Sequence, residues 1–219
     1  MKEDLIGNGL IWILSKIVNF INAGSQVHFN QSSVDTGPLG LTPQVLLERW
    51  YRLEAELDVW HRGLPDTFRP CARIEPSGSD AVSGLMEIWY SLPVCSSAMQ
   101  HFHMARILLL INKPHESTSG RSTITNRLNS YRSIENDIRF HSREIVGISM
   151  ARPHGSVRIN SLQPLFVSGQ CLTEAPERRM VVRLLHGIET DLGWATRYRV
   201  NQLLREWGWA EESRDEGVP

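Results

Sequence analysis

TPQVLLERWYRLEAELDVWHRG, residues 42–63, reads as one complete helix with both ends marked. Thr42 can cap the first turn with its hydroxyl, and Pro43 fits the first helical position, where no backbone N–H is needed. Leu46, Trp50, Leu53, Leu57 and Trp60 follow at steps of four and three. That spacing aligns two indoles and three leucines on one stripe, which must be buried. Gly63 and Pro65 stop the run. Glu48, Glu54, Glu56 and Asp58 fall off the stripe and read as a solvated face.

The same period recurs on both sides of this helix. Upstream, Leu10, Leu14, Ile17, Val18 and Ile21 form a helical run that Gly24 should end, and the polar stretch Gln26 to Gly40 reads as a loop. Downstream, Pro70, Pro76 and Gly78 mark a linker between Pro65 and Gly84. A run through Leu85, Ile88, Trp89, Cys95, Phe102 and Leu109 then predicts a helix that Pro93 kinks or divides and that closes at Asn112 and Pro114. A fourth helix starts near Ser122 and carries Ile124, Leu128, Tyr131, Ile134, Ile138 and Ile145. After a break at Arg152 to Gly155 comes a short apolar segment through Leu162, Leu165 and Phe166. A helix from about Glu174 to Leu192 takes Gly193 as its C-cap, and Val200, Leu203, Leu204 and Trp207 define the last. No alternating β-branched run is long enough for a sheet. The expected fold is all-α, an irregular multi-helix bundle or array over residues 1–210, followed by an acidic, frayed tail at 211–219.

Composition narrows the function classes. The 219 residues are 41% hydrophobic and 21% charged, too apolar for a wholly disordered chain. With 23 basic and 24 acidic side chains the net charge is −1, which argues against phosphate-driven nucleic-acid binding. Cys71, Cys95 and Cys171 are scattered and odd in number, so they suit buried thiols in a reducing compartment. Glu3 and Asp4 outweigh Lys2 ahead of the first apolar run, which does not look like a secretory signal. The longest apolar stretch, Leu85 to Ile111, is interrupted by Glu87, Gln100 and Arg106 and falls short of an uncharged membrane span. These features read as a soluble, intracellular protein.

No chemistry emerges from motif spacing, so no catalytic, cofactor-binding or metal-ligating residue is assigned. His101 and His103 are two residues apart and point to different sides of a helix, while His61, His115, His141, His154 and His186 lie singly. Neither a G-x-S-x-G elbow nor a phosphate-binding glycine loop occurs, and Cys171 has no partner assignable from sequence. Arg132, Arg139 and Arg143 share a helix side, but Glu135 and Asp137 stand beside them. Asn30-Gln31-Ser32 matches a glycosylation sequon by chance. The seven Trp and six Met on the seams read as core.

Several phrases together resemble the fungal-specific transcription factor domain, the helical regulatory region of fungal zinc-cluster transcription factors. One is Trp50-Tyr51-x-Leu53 with Leu57, Trp60, Leu64-Pro65 and Phe68-x-Pro70; another is His101-Phe102-His103-Met104-Ala105-Arg106 with the apolar residues after it. The most specific are Pro164 to Leu172, Glu177-Arg178-Arg179, Gly193-Trp194-Ala195-Thr196, Tyr198-Arg199, and Leu203-Leu204-x-Glu206-Trp207-Gly208-Trp209. The match runs from about Leu10 to Trp209.

The resemblance implies a non-enzymatic regulator of transcription by RNA polymerase II, located in the nucleus. Family members hold two zincs in an N-terminal six-cysteine cluster that contacts DNA. Three scattered cysteines cannot form it, so no cofactor is expected in this chain. Against the family pattern the chain begins partway into the helical domain, and the helix at Leu10 to Ile21 is expected to keep one unpaired apolar side. Implied partners are other proteins, the missing N-terminal part, or a small apolar ligand, with no membrane. The alternative is a free-standing all-α ligand-binding or interaction protein. A further competing class is an enzyme or small-molecule binder on an all-α scaffold, which a pocket with His101 or His103 facing Arg or Glu would favour.

Overall fold

The structure, a computed structural model, describes residues 2–29, 42–75, 84–114 and 123–209. Among them are eight α-helices: α1 (Lys2–Phe29), α2 (Pro43–Arg62), α3 (Pro93–Ile111), α4 (Ile124–Met150), α5 (Gly155–Asn160), α6 (Leu162–Cys171), α7 (Ala175–Leu192) and α8 (Arg197–Glu206). The all-α expectation holds. Most of the expected loop after α1, the sequon at Asn30, His115 and the acidic tail lie outside the described residues.

Helix α2 forms as its sequence dictates. The Thr42 hydroxyl accepts the Val45 N–H at 3.3 Å, Pro43 opens the first turn, and Trp50, Leu53 and Leu57 are buried. Gly193 caps α7 at φ 68°, a left-handed conformation that glycine adopts without steric cost. Helix α1 departs from expectation by continuing through Gly24 to Phe29. Its buried seam is Leu10, Ile13, Ile17 and Phe20, whereas Val18 faces outward with Leu5, Ile11 and Trp12. By length and composition alone, Lys2–Ala23 is also apolar enough to cross a membrane.

The clearest correction concerns residues 85–92. They belong to no helix: β1 (Ala72–Ile74) and β2 (Glu87–Trp89) form a two-stranded antiparallel ladder that pairs Arg73 with Ile88. Pro93 then starts α3 as its first residue instead of kinking it. Leu92 is extended at φ −122°, ψ 131°, as the residue before a proline prefers.

Two buried clusters share α3 and α4. The amino-terminal one joins α1, α2 and one side of α3 around Leu10, Ile17, Trp50, Leu57 and Phe102. The carboxyl-terminal one joins α4, α6, α7 and α8 around Ile145, Leu165, Val181, Leu185 and Leu203. Helix α3 is buried nearly all round, giving Met104 and Ile107 to one cluster and Met99, Phe102 and Leu109 to the other. Gly147 of α4 makes room for β2, because a Cβ there would collide with the Met86 carbonyl and press on Ile88. This close approach decides where Arg73 ends up.

Candidate functional site: a polar cleft between the two cores

A cavity of about 340 Å³ opens where α2, β1, α3 and α4 converge. Helix α3 supplies Phe102, His103 and Arg106; α4 supplies Phe140, His141 and Glu144; β1 supplies Arg73. His61 at the end of α2 and Tyr90 just after β2 complete the ring of polar groups. Each helix presents its residues at a one-turn spacing, so both face the same space.

The base of the cleft is an ion pair. Arg73 meets Glu144 through two parallel bonds of 2.7 Å each. Glu144 is only 7% exposed, and a carboxylate at that depth is tolerable because the guanidinium fork satisfies both oxygens. The hydrogen bond to Glu144 raises the Arg73 pKa further above its ordinary value.

Two histidines extend the network. Glu144 Oε2 lies 3.9 Å from His103 Nε2, and His103 Nδ1 lies 2.8 Å from His141 Nδ1. In the Nδ1–Nδ1 contact one imidazole donates and the other accepts, and at 3.9 Å Glu144 and His103 make an electrostatic contact and not a hydrogen bond. Burial lowers the pKa of His103 well below its ordinary value, lowers His61, and brings His141 down to about 4. All three imidazoles are neutral at pH 7. Burial also raises the Tyr90 hydroxyl, which stays protonated.

Aromatic walls frame these groups. The Phe102 ring stacks on His61 at 4.5 Å and on Trp60 at 5.7 Å. Phe140 stands edge-on to His141 at 5.2 Å and is 55% exposed. Arg106 sits 5.5 Å above the Phe102 ring and forms an ion pair with Asp58. That pair corrects the reading of Asp58 as part of a purely solvated face, and Glu56 is likewise held by Lys16 at 2.7 Å.

Sequence reasoning missed this convergence. His61 and His141 do not lie singly, and His103 is a buried partner of His141. His101 does point elsewhere, its Nδ1 bonding the Ser97 carbonyl at 2.8 Å. The available signal was polarity on a buried helix. His103 and Arg106 interrupt an apolar run, and His141 and Glu144 stand one turn apart just before another. The arginine stripe turns inward: Arg143 Nε is 2.9 Å and Arg139 3.5 Å from Glu177, so two of its cations face a buried carboxylate. Among the cysteines, Cys95 is buried, Cys171 is half-buried and Cys71 is exposed, against the expectation of buried thiols. Burial pushes the Cys95 and Cys171 thiols up to about 11, which keeps them poor nucleophiles. No group of three or more His, Cys, Asp or Glu is placed to hold a metal ion among the described residues.

The chain is thus an all-α protein with a polar, aromatic-walled cleft between two apolar cores. No family model matches it, nor does any solved structure. It is similar to transcription activator AMTR1 of Alternaria alternata, 44% identical over 214 residues. The alignment covers 94% of this chain and 27% of that protein, so the chain spans little more than a quarter of the length of the curated relative it matches.

Proposed function

We propose that the chain is a helical regulatory region of a fungal zinc-cluster transcription factor, acting in the nucleus without catalysis of its own. The observation that carries this reading is the 44% identity to a transcription activator across 94% of the chain. The family-like phrases support it by falling where packing is most demanding. Pro164 to Leu172 spans α6, where a Cβ on Gly169 would press on Leu203 and Val181. Thr196 is fully buried, its hydroxyl donating to the Leu185 carbonyl at 2.8 Å, and the Trp207 indole donates to the Gly169 carbonyl at 3.1 Å.

In this reading DNA is contacted only through a zinc cluster supplied from outside these residues. The helical region itself holds no cofactor and works through helix-face contacts with proteins or with the rest of the factor. A fusion of the chain to an unrelated DNA-binding domain, assayed on a reporter gene, tests it. Reporter output should change relative to the DNA-binding domain alone. An expressed, folded fusion that enters the nucleus and leaves output unchanged would count against it. The alternative, a free-standing helical ligand-binding protein, draws its support from the cleft. A promoter directly upstream of Met1, with no in-frame six-cysteine exon, would favour that alternative.

A further inference from the structure

We infer that the corner between α7 and α8 is a docking surface for an acidic segment of another protein, one that alternates carboxylates with leucine or aromatic side chains. Residues 194–199 carry the argument. Trp194 is 52% and Tyr198 56% exposed, and Arg197 and Arg199 stand beside them in the chain. Trp, Tyr and Arg are the side chains that most often dominate the affinity of protein contacts, because each offers a large, stiff surface with a polar edge.

The corner is held in shape before any partner arrives. Gly193 turns the chain at φ 68°. Glu189 Oε2 then accepts the backbone N–H groups of Thr196 at 3.0 Å and Arg197 at 2.8 Å, so a carboxylate of α7 clamps the first turn of α8. A surface already ordered loses little conformational entropy on binding. The clamp also draws Glu189 away from neutralising its neighbours: the Arg197 guanidinium reaches it only at 3.7 Å.

Charge selects the partner. Arg199 has no carboxylate partner among the described residues; its terminal nitrogens donate to the side-chain oxygens of Gln202 and Gln163, both at 3.1 Å. The guanidinium lies 4.2 Å from the Phe166 ring centroid and 5.2 Å from that of Tyr198. Neutral amide oxygens leave its positive charge uncompensated, and they take two of the five N–H donors that a guanidinium carries. Asp191, just before the turn, is committed to Arg158 at 2.7 Å. The corner is therefore cationic on a chain whose net charge is −1. Two cations neutralise too few phosphates to hold a nucleic acid at physiological salt, whereas a cation beside exposed rings suits a carboxylate beside an apolar side chain. This inference goes beyond the transcription reading and does not rest on it: binding is measured on the chain alone, whatever the reporter fusion does.

The test is fluorescence anisotropy of a labelled synthetic peptide that alternates Glu with Leu and Phe, titrated with the 219-residue chain. Saturable binding is expected, with a dissociation constant on the order of 100 μM that rises several-fold from low to high salt. Replacing Glu by Lys in the peptide should abolish binding, and replacing Leu and Phe by Ser should weaken it about tenfold. Arg199→Gln and Trp194→Ala should each weaken it about tenfold, with circular dichroism confirming the fold. Trp12→Gln, at an exposed ring on α1, should change nothing. Absence of saturable binding overturns the inference, as does a Lys peptide that binds equally well. Tighter binding of a labelled DNA duplex than of the peptide, or a loss in Trp12→Gln equal to that in Trp194→Ala, also overturns it. Should Arg199→Gln fail to fold, Trp194→Ala and Arg197→Gln, both at exposed positions, decide.

Discussion

The two halves of the molecule bury their helices by different means. In the carboxyl-terminal half, α6, α7 and α8 close on aliphatic side chains, with Leu165, Val181, Leu185 and Leu203 fully shielded. In the amino-terminal half, indole and phenyl rings do much of the filling: the Trp50 indole donates to the Leu109 carbonyl at 2.7 Å, and that of Trp60 to the Ile6 carbonyl at 2.9 Å. Branched aliphatic chains interlock without polar atoms, whereas large rings leave irregular gaps at their edges. The polar residues of α3 and α4 collect where the two kinds of core meet. Gln100, fully buried, donates to Ser149 at 2.9 Å, and the histidine network occupies the open side of the same seam. The contrast teaches that the boundary between the cores gathers His103, His141 and Glu144 in one cluster, while the buried Glu177 of α7 is held apart by Arg139 and Arg143.

Truncations in each core put the comparison under the most stress. Leu165→Ala should lose about 3–4 kcal/mol in urea denaturation, and Leu57→Ala a similar amount in the other cluster. Because α3 belongs to both clusters, each variant should show one cooperative transition. Two separated transitions would mean that the halves fold independently.

Gly147→Ala should cost about 3 kcal/mol, since the new methyl group meets the Met86 backbone and not a flexible side chain. It should also displace β1 and loosen the Arg73–Glu144 pair. A stability equal to wild type would show that β2 can lift away from α4 freely.

Acid sharpens the contrast, because the titrating imidazoles lie on the amino-terminal side of the seam. His141 holds its proton less readily when folded (pKa about 4) than when unfolded (about 6.5), so its stability contribution is complete above about pH 6.5. It is lost as pH falls towards 4. Between pH 7.5 and pH 5 the loss from His141 alone should be about 2 kcal/mol, read from urea midpoints, with His103 adding to it. His61, Arg73 and Arg106 face this pair and oppose protonation, while Glu144 favours it. His141→Phe should remove only its own share of the drop, about half or less, because His103 loses at least as much over the same range, and a flat wild-type profile would contradict imidazoles that stay neutral in the fold.

The smallest change in stability belongs to α1. Trp12, 67% exposed, lies on the outward side with Leu5 and Ile11. Trp12→Gln should shift stability by less than about 0.5 kcal/mol while reducing dye binding and concentration-dependent sedimentation. A wild-type chain that binds no dye and sediments as a monomer at all concentrations would show that this apolar side has no effect on association.

Much of the fold was legible because its determinants are local. Thr42-Pro43, the Trp50–Leu57 stripe and Gly193 each state a helix end or face within a few residues, and each is found as read. Errors arose where a contact outside the segment overrode local pattern. Residues 85–92 look helical by spacing, yet Ile88 is drawn into a strand by pairing with Arg73 and by the gap at Gly147. Gly24 looked like a terminator, but one glycine costs a long helix only about 1 kcal/mol, and α1 runs past it.

Hydrophobic period, caps and composition, all written along the chain, were enough to determine an all-α protein with near-neutral charge and buried seams. The meeting of His61, Arg73, His103, His141 and Glu144 was decided only in three dimensions. Helical periodicity says which residues share a face within one turn. Which faces then meet depends on how α2, β1, α3 and α4 dock, and that is set by side-chain volumes on segments far apart in sequence.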